Sequence, residues 1–479
     1  MLSSFSARSP VILSSLIVVA LTVGLLAATA PFMAIGVVVL AMIVWMIVAA
    51  PVATLVAIIV LTAMVPYGLM NRYGVGGGSS AAGLLASDVV LLFALARAAV
   101  VLRTRSLSRQ HLLMSSVLLV FLAVTALQLV HGASTGRDLS AAGSEFRTLL
   151  GFSVFLVALP LVGDPKQFRR LAGGLLGVML ALGTWGLIQW FTQLGFVYDV
   201  GVREGVALTT SGRGQLQGGL FAYPIAVVGA YAALLSGLVA SSRVRLLLWA
   251  ALGLNAVCLL LTYERTFWVA TVLGLGFVTI KATGSSRIKA MIAAPLVVLV
   301  GIGILSAVAP NELRTAQERV LTLRDTSSDE SLQERFVESE YVLDEIRAQP
   351  LGSGLGATIF FGDPANFVPP TERVYSHNAY LWLAWKVGIP AGILLTLLFV
   401  YAVVARSRTT TVQHKALATG AQGGLLALLL INPNFPAFNG LSITATMGLL
   451  LALATLPKEA SEDHPGSPSG LRGLEPWRG

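Results

Sequence analysis

Long apolar runs, separated by short polar segments, extend along most of this chain as far as residue 456. A helix needs roughly 20 mostly apolar residues to cross a membrane, and fourteen windows of the sequence approach that length. These windows lie at residues 10–29, 32–50, 52–69, 82–102, 112–131, 148–163, 171–193, 219–240, 246–262, 266–281, 290–308, 378–404, 416–431 and 441–456. The pattern therefore predicts a membrane helix in each window.

The composition excludes a water-soluble enzyme. Hydrophobic residues make up 56% of the 479 residues and charged residues only 11%, whereas soluble proteins carry about a quarter charged residues. The net charge of +9 does not indicate a nucleic-acid partner, because the cytoplasmic loops of a multi-spanning membrane protein give the same sign. We expect an all-α polytopic membrane protein with about 12–14 transmembrane helices, surrounded by membrane lipids and without a nucleic-acid partner.

The basic residues of the short loops predict the orientation. Five alternate loops together contain 14 lysines and arginines and a single acid, Asp164. Cytoplasmic loops carry this kind of excess, so both termini are expected in the cytoplasm. That arrangement requires an even number of helices, and twelve or fourteen both meet the requirement. The predicted location is the cytoplasmic (inner) membrane, with the protein crossing it many times.

One long segment on the opposite side of the predicted membrane differs from the other loops. Residues 310–376 contain six arginines, twelve acids and no lysine. Within them, residues 330–348 carry apolar side chains at helical spacing and predict an amphipathic helix. We therefore expect a membrane domain over residues 1–457, a folded extracytoplasmic cap over 310–376 within it, and a disordered cytoplasmic tail over 458–479.

Three features on the cap side of the predicted membrane are candidates for chemistry. Arg265 lies in a turn between two helices that is almost too short to be a loop, Arg335 lies on the amphipathic helix, and His377 ends the cap. Each also has an ordinary structural explanation. An interfacial arginine can reach the lipid headgroups, a loop arginine can be a solvated surface charge, and a histidine at a membrane boundary can cap a helix.

In their order and spacing, these residues resemble the O-antigen ligase/polymerase superfamily. The matching stretch begins at Arg335 and continues through Pro-Leu-Gly-Ser-Gly-Leu-Gly at 350–356. It then includes His-Asn-Ala-Tyr-Leu at 377–381 and Gly-Ile-Pro-Ala-Gly at 388–392. A weaker match covers residues 213–224, from Arg-Gly to Tyr-Pro. The short turn that ends in arginine, before the large loop, belongs to the same family pattern.

The resemblance implies a membrane glycosyltransferase that takes part in the assembly of lipopolysaccharide or another cell-envelope polysaccharide. Such an enzyme moves a glycan from a polyprenyl-diphosphate carrier to a lipid, glycan or protein acceptor, on the extracytoplasmic face. His377 is then the catalytic residue, since a neutral imidazole can accept the proton of the acceptor hydroxyl. Arg265 and Arg335 are then the diphosphate-binding residues, because arginine binds phosphate oxygens in pairs and stays charged. Ligase and polymerase activity both fit the sequence.

Four further residues in the matched stretches are secondary candidates: Arg213, Asn378, Tyr380 and Lys386. Lys386 departs from the family pattern, which often has an acid at this position. Helical geometry places it about 13 Å from His377 along the helix axis. Asp88 is an acid within a predicted span and a candidate partner for this lysine. Glu264 is a second departure, because the family usually has serine before the arginine of the turn.

No metal and no cofactor are expected. The early outward loops contain no Asp-x-Asp motif, and the acids of the cap show no ligand spacing. The chain also lacks a P-loop and a dinucleotide fingerprint, so the donor is expected to be lipid-linked. The alternative is a transporter or channel for a small solute, a class in which charged residues lie within spans. Asp88, Arg97 and Lys386 keep that alternative open.

Overall fold

The computed structural model describes most of the chain between residues 47 and 456. The described residues are 47–64, 86–104, 107–192, 221–236, 241–262, 264–282, 330–363, 368–405 and 412–456, with isolated positions between 287 and 314. Their helices are α1 (Pro51–Met64), α2 (Ala86–Thr104), α3 (Arg109–Ser134), α4 (Leu139–Leu150), α5 (Val154–Val162), α6 (Pro165–Thr192), α7 (Ala222–Leu235), α8 (Ser242–Leu260), α9 (Arg265–Lys281), α10 (Glu330–Ala348), α11 (Ala379–Val387), α12 (Ile389–Val404), α13 (Val412–Ile431) and α14 (Leu441–Ala454). Two strands, β1 (Ile359–Asp363) and β2 (Val368–Arg373), complete the list.

Five helical segments among the described residues are long and apolar enough to cross a membrane. They are α3, the continuous stretch Leu139–Val162 that joins α4 to α5, α6, α8 and most of α13. Helices α1, α7, α12 and α14 contain shorter apolar stretches. Large apolar side chains face outward, such as Leu127, which is 67% exposed. Such a surface is unfavourable in water but not in contact with lipid. The protein is an all-α polytopic membrane protein, as predicted.

Most predicted windows between residues 52 and 456 coincide with helices, and two differences are informative. The window at 148–163 is part of a helical segment that already begins at Leu139. The predicted window is shorter because the charged residues Glu145 and Arg147 interrupt the apolar run. The window at 378–404 is divided into α11 and α12 by Gly388. The windows at 10–29, 32–50 and 290–308 lie wholly or mostly outside the described residues, as does the tail, so the total of twelve or fourteen spans stays a prediction.

Small residues allow the membrane helices to approach closely. A Cβ atom built on Gly274 of α9 would lie 3.0 Å from the carbonyl oxygen of Gly423 in α13. The same α13 helix packs along α7, where a Cβ on Gly420 would lie 3.1 Å from Cβ of Ala232. Close backbone contact of this kind is how helices associate where no water is present to drive them together.

The cap consists of α10, the β1–β2 hairpin and the segments that join them to the membrane helices. Helix α10 has the bounds that the amphipathic pattern predicted, Glu330–Ala348. Its buried side includes Val342 and Ile346. The hairpin was not predicted. Its strands are antiparallel, with Ile359 opposite Arg373, and Tyr341 of α10 packs edge-on against Phe361 of β1, at 5.8 Å between the ring centroids.

The glycine-rich segment at 350–356 fastens the cap to the membrane helices. Ser353 donates its backbone N–H to Trp385 of α11 at 2.8 Å, and Leu355 donates to Gln128 of α3 at 3.1 Å. Gly352, Gly354 and Gly356 all have positive φ, a region that residues with a side chain rarely enter. The glycine-rich segment is therefore in close backbone contact with both α3 and α11.

A substitution at Gly388, which lies against the glycine-rich segment, tests this contact. Its φ of 93° costs an alanine about 1–2 kcal/mol, and a Cβ there would also collide with the backbone of Leu351. We expect Gly388→Ala to lower the thermal stability of the detergent-solubilised protein. Gly392→Ala is the matched control, because its Cβ would meet nothing closer than 3.6 Å and it lies inside α12. Equal melting temperatures for the two variants would contradict this account.

Candidate functional site

Helix α10 presents Arg335 and Glu338 one helical turn apart. Residues three apart lie on the same side of a helix, and Glu338 points into the protein with only 1% of its surface exposed. Arg335 is half-buried. A carboxylate this deeply buried needs charged or hydrogen-bonding partners to offset its lost hydration, and the structure provides them from outside α10.

The first partner of Glu338 is the predicted catalytic residue His377. Oε2 of Glu338 accepts two hydrogen bonds from this residue, one from Nδ1 at 2.9 Å and one from the backbone N–H at 3.0 Å. An ionised carboxylate can only accept, so Nδ1 carries the proton and Nε2 of a neutral ring carries the lone pair. The His377 side chain stays 28% exposed. The imidazole is therefore oriented by the protein, with Nε2 as the nitrogen available to a substrate.

The second partner of Glu338 is Arg373, at the end of β2. Its guanidinium lies 3.6 Å from Glu338 and 3.1 Å from Glu334, one turn earlier on α10. It also lies over the ring of Phe361, at 4.2 Å from the centroid, a distance typical of a cation–π contact. The hairpin thus places the guanidinium of Arg373 beside Glu334 and Glu338 of α10. Sequence analysis did not single out Glu338 or Arg373.

A cluster of phenylalanines connects Arg335 to the helix that begins at Arg265. The guanidinium of Arg335 lies 5.7 Å from the ring centroid of Phe435. That ring packs against Phe267 at 4.9 Å, and Phe267 is the third residue of α9, whose first residue is Arg265. The aromatic cluster therefore links the side chain of Arg335 to the first turn of α9, in which Arg265 lies. Arg265 also has interactions of its own.

The turn after α13 connects this aromatic cluster to His377. The carbonyl of Asn432 accepts the N–H of Ala379 at 2.9 Å, so the residues just before Phe435 hold the start of α11. These contacts link the start of α9, the cap helix and the start of α11, the elements that carry or adjoin Arg265, Arg335 and His377. The assignment of the three residues to one site stays a prediction, as do their chemical roles.

Two secondary candidates have structural roles at the start of α11. The side-chain oxygen of Asn378 accepts the N–H groups of Tyr380 and Leu381 at 3.1 and 3.2 Å, which makes it the N-cap of the helix. The hydroxyl of Tyr380 donates to the carbonyl of Leu429 at 2.8 Å. Both residues fix the helix that follows His377. The remaining secondary candidate of the weaker match, Arg213, lies outside the described residues.

Lys386 pairs with Glu145 and not with Asp88. Its ammonium, which is fully buried, lies 2.7 Å from Glu145 and also donates to the carbonyl of Ala357. The other oxygen of Glu145 accepts the N–H of Gly356 at 2.7 Å. Asp88 instead pairs with Arg147 at 2.8 Å. The expectation of a Lys386–Asp88 pair is wrong, because a nearer acid on α4 compensates the lysine and thereby holds the glycine-rich segment.

The described part of the chain contains no evident metal-binding site. No group of three or more His, Cys, Asp or Glu side chains there is arranged to hold an ion. The expectation of a metal-independent enzyme is not tested by this observation and stays a prediction.

The Lys386–Glu145 pair has a measurable consequence for stability. Removing one member leaves the other charge buried and unpaired, which costs about 3–5 kcal/mol. We expect Lys386→Met to lower thermal stability strongly, and Lys386→Met with Glu145→Gln to recover part of the loss. Lys415→Met is the control, because Lys415 is exposed. A single variant as stable as the wild type would show that the pair contributes nothing.

Comparison with known proteins identifies the region that contains these residues. A family model described as O-antigen ligase matches residues 250–396, which span Arg265, Arg335 and His377. No curated protein matches the chain. The matched region includes α9, the cap helix, the hairpin, α11 and the first half of α12. Residues 250–396 are therefore similar to the O-antigen ligase family, in agreement with the motifs of the sequence.

Proposed function

We propose that the protein is a glycosyltransferase that moves a glycan from a polyprenyl-diphosphate carrier to the hydroxyl of a lipid, glycan or protein acceptor. The proposal covers ligase and polymerase reactions, which share this bond exchange and differ in the acceptor. The match of residues 250–396 to the O-antigen ligase family supports membrane glycan assembly. The observation that carries the reaction is the hydrogen bond between Nδ1 of His377 and the buried Glu338, because it orients an imidazole that can act as a base.

In the proposed reaction, the two arginines stabilise the leaving group. Breaking the bond between the sugar and the diphosphate develops negative charge on the diphosphate oxygens, and fixed cations lower the energy of that state. Arg265 and Arg335 suit this role because a guanidinium binds phosphate oxygens in pairs and does not lose its proton. The contact with Phe435 limits the movement of the Arg335 side chain. The side chain therefore loses less conformational entropy when it binds the diphosphate.

The proposed base is Nε2 of His377. It accepts the proton of the acceptor hydroxyl while the acceptor oxygen bonds to the anomeric carbon and the carbon–oxygen bond to the diphosphate breaks. Glu338 is a positioning residue in this scheme. Its carboxylate holds the proton on Nδ1 and stabilises the imidazolium that forms, as the aspartate of a catalytic triad does. The scheme needs no metal.

The proposed location is the extracytoplasmic face of the cytoplasmic membrane, with both termini in the cytoplasm. Two observations of the sequence support it: the basic residues in alternate loops, and the cap on the opposite side. The alternative of a transporter relies on charged residues within spans. Two of these, Asp88 and Lys386, are held in ion pairs with Arg147 and Glu145, and this favours a structural role for them.

The site assignment predicts the phenotype of three substitutions. Cells with His377→Ala, Arg265→Ala or Arg335→Ala are expected to lose the mature surface glycan and to accumulate its lipid-linked precursor, at normal protein level. Arg347→Ala is the control, because Arg347 is exposed and its ion pair, with Asp344 at 2.7 Å, lies on its own helix. Normal surface glycan in all three variants would rule out the assignment of these residues.

Glu338→Gln tests the orienting role separately. A glutamine amide can donate to Nδ1 and so favour the ring form whose Nε2 carries the proton and cannot act as a base. With the purified protein in nanodiscs we expect kcat to fall about 100-fold or more, with little change in KM. Glu340→Gln, at an exposed position of the same helix, should keep the wild-type rate. Equal rates for the two variants would remove Glu338 from the mechanism.

A further inference from the structure

A pocket with a mostly apolar lining and a few polar groups lies at the cap-side end of α3, away from the site described above. Its volume is about 430 Å³, and its walls come from the end of α3, the turn that follows it and the segment after α10. We call it the Arg137 pocket, lined by His131, Thr135, Arg137, Gln349, Pro350, Leu351, Gly352 and Ser353. None of these eight residues is an acid, and two of them can carry positive charge.

The pocket contains hydrogen-bonding groups that the described residues leave unused. Nε of Arg137 and the hydroxyl of Ser353 are both buried and have no hydrogen-bond partner in the described part of the chain, and Ser353 is only 1% exposed. A buried polar group without a partner costs free energy, and the cost is larger for a guanidinium. Both groups would gain from a ligand with several acceptor oxygens.

The acids near Arg137 are already engaged elsewhere. Asp138, the next residue, accepts the N–H of Ser140 at 2.8 Å and caps α4. Glu145 pairs with the buried Lys386 at 2.7 Å. Neither of these two acids forms an ion pair with Arg137 among the described residues, so its guanidinium is left for an anionic ligand.

The pocket is distinct from the region of His377. Glu338, which holds His377, and Ala348, which ends α10 next to the pocket, are ten residues apart, or about 15 Å along the helix. The diphosphate proposed to bind at Arg265 and Arg335 would not fill both places. A glycan attached to that diphosphate, or the acceptor that meets it, extends over such a distance on the same side of the protein.

We propose that the Arg137 pocket binds an oxyanion, a carboxylate or phosphate group carried by the glycan substrate. Arg137 binds the oxyanion in pairs of hydrogen bonds, and the exposed imidazole of His131 contributes a further donor. The substrate class named here rests on the proposed function, whereas anion binding by the pocket does not require it. The substrates expected are acidic glycans, with uronic acid or phosphate substituents.

Chemical protection of His131 tests this site without measuring glycan transfer. The full-length protein in nanodiscs of zwitterionic lipid is treated with diethyl pyrocarbonate, and modification of His131 is followed by mass spectrometry of its peptide. Inorganic phosphate and glucuronate should slow the modification in a saturable manner, whereas glucose should not. Arg137→Gln should raise the concentration for half-protection about tenfold or more, since a charge-assisted hydrogen bond is lost.

Three controls make the outcome decisive. Arg137→Lys keeps the charge and should retain part of the protection, Arg347→Gln should retain all of it, and the reactivity of the His377 peptide reports whether a variant is folded. Protection of His131 that disappears only in Arg137→Gln supports the proposal. Three results would overturn it: no protection by either anion, equal protection in Arg137→Gln, or protection only in nanodiscs with phosphatidylglycerol, which would indicate a lipid headgroup.

Discussion

The buried carboxylate of Glu338 is the group on which the arrangement of the site depends. It lies inside the protein and accepts both the ring N–H and the backbone N–H of His377, while Arg373 balances its charge from the hairpin. A charge at this depth is tolerated only when such partners are present. The same contact therefore joins three elements: the cap helix α10, the end of β2 and the start of α11. Arg335, one turn from Glu338, takes its position from this junction.

A second buried charge stabilises the other end of the cap. Lys386 and Glu145 connect α11 to α4, and Glu145 also accepts the N–H of Gly356. The cap helix is thus attached at its middle, through Glu338, and beyond its C-terminal end, through the glycine-rich segment. In a protein whose membrane helices associate through small residues and lipid contact, these polar attachments give the cap a defined position over the helix ends.

The sequence was sufficient to predict the membrane fold and the cap helix, because hydropathy and helical periodicity describe them. The group formed by Arg265, Arg335 and His377 stays a prediction from local motifs. The sequence was not sufficient for Glu338, Arg373 or the partner of Lys386. These contacts join residues that are far apart in the chain, and the apolar pattern of α10 treats Glu338 as a surface residue. One signal was available: Glu338 follows Arg335 by three residues, so a helix that directs the arginine to a site also directs the glutamate there. The β1–β2 hairpin had no clear signal, since its strands are short and partly polar.

The proposed transfer of a polyprenyl-diphosphate-linked glycan can be measured with the purified protein in nanodiscs. The protein receives a synthetic polyprenyl-diphosphate oligosaccharide and a hydroxyl acceptor, and the carrier and the glycan are followed together. We expect free polyprenyl diphosphate and glycosylated acceptor to appear in equal amounts, and the His377→Ala protein to form neither. Unchanged donor with the wild-type protein, together with solute flux through liposomes that contain it, would contradict glycan transfer and establish a transporter instead.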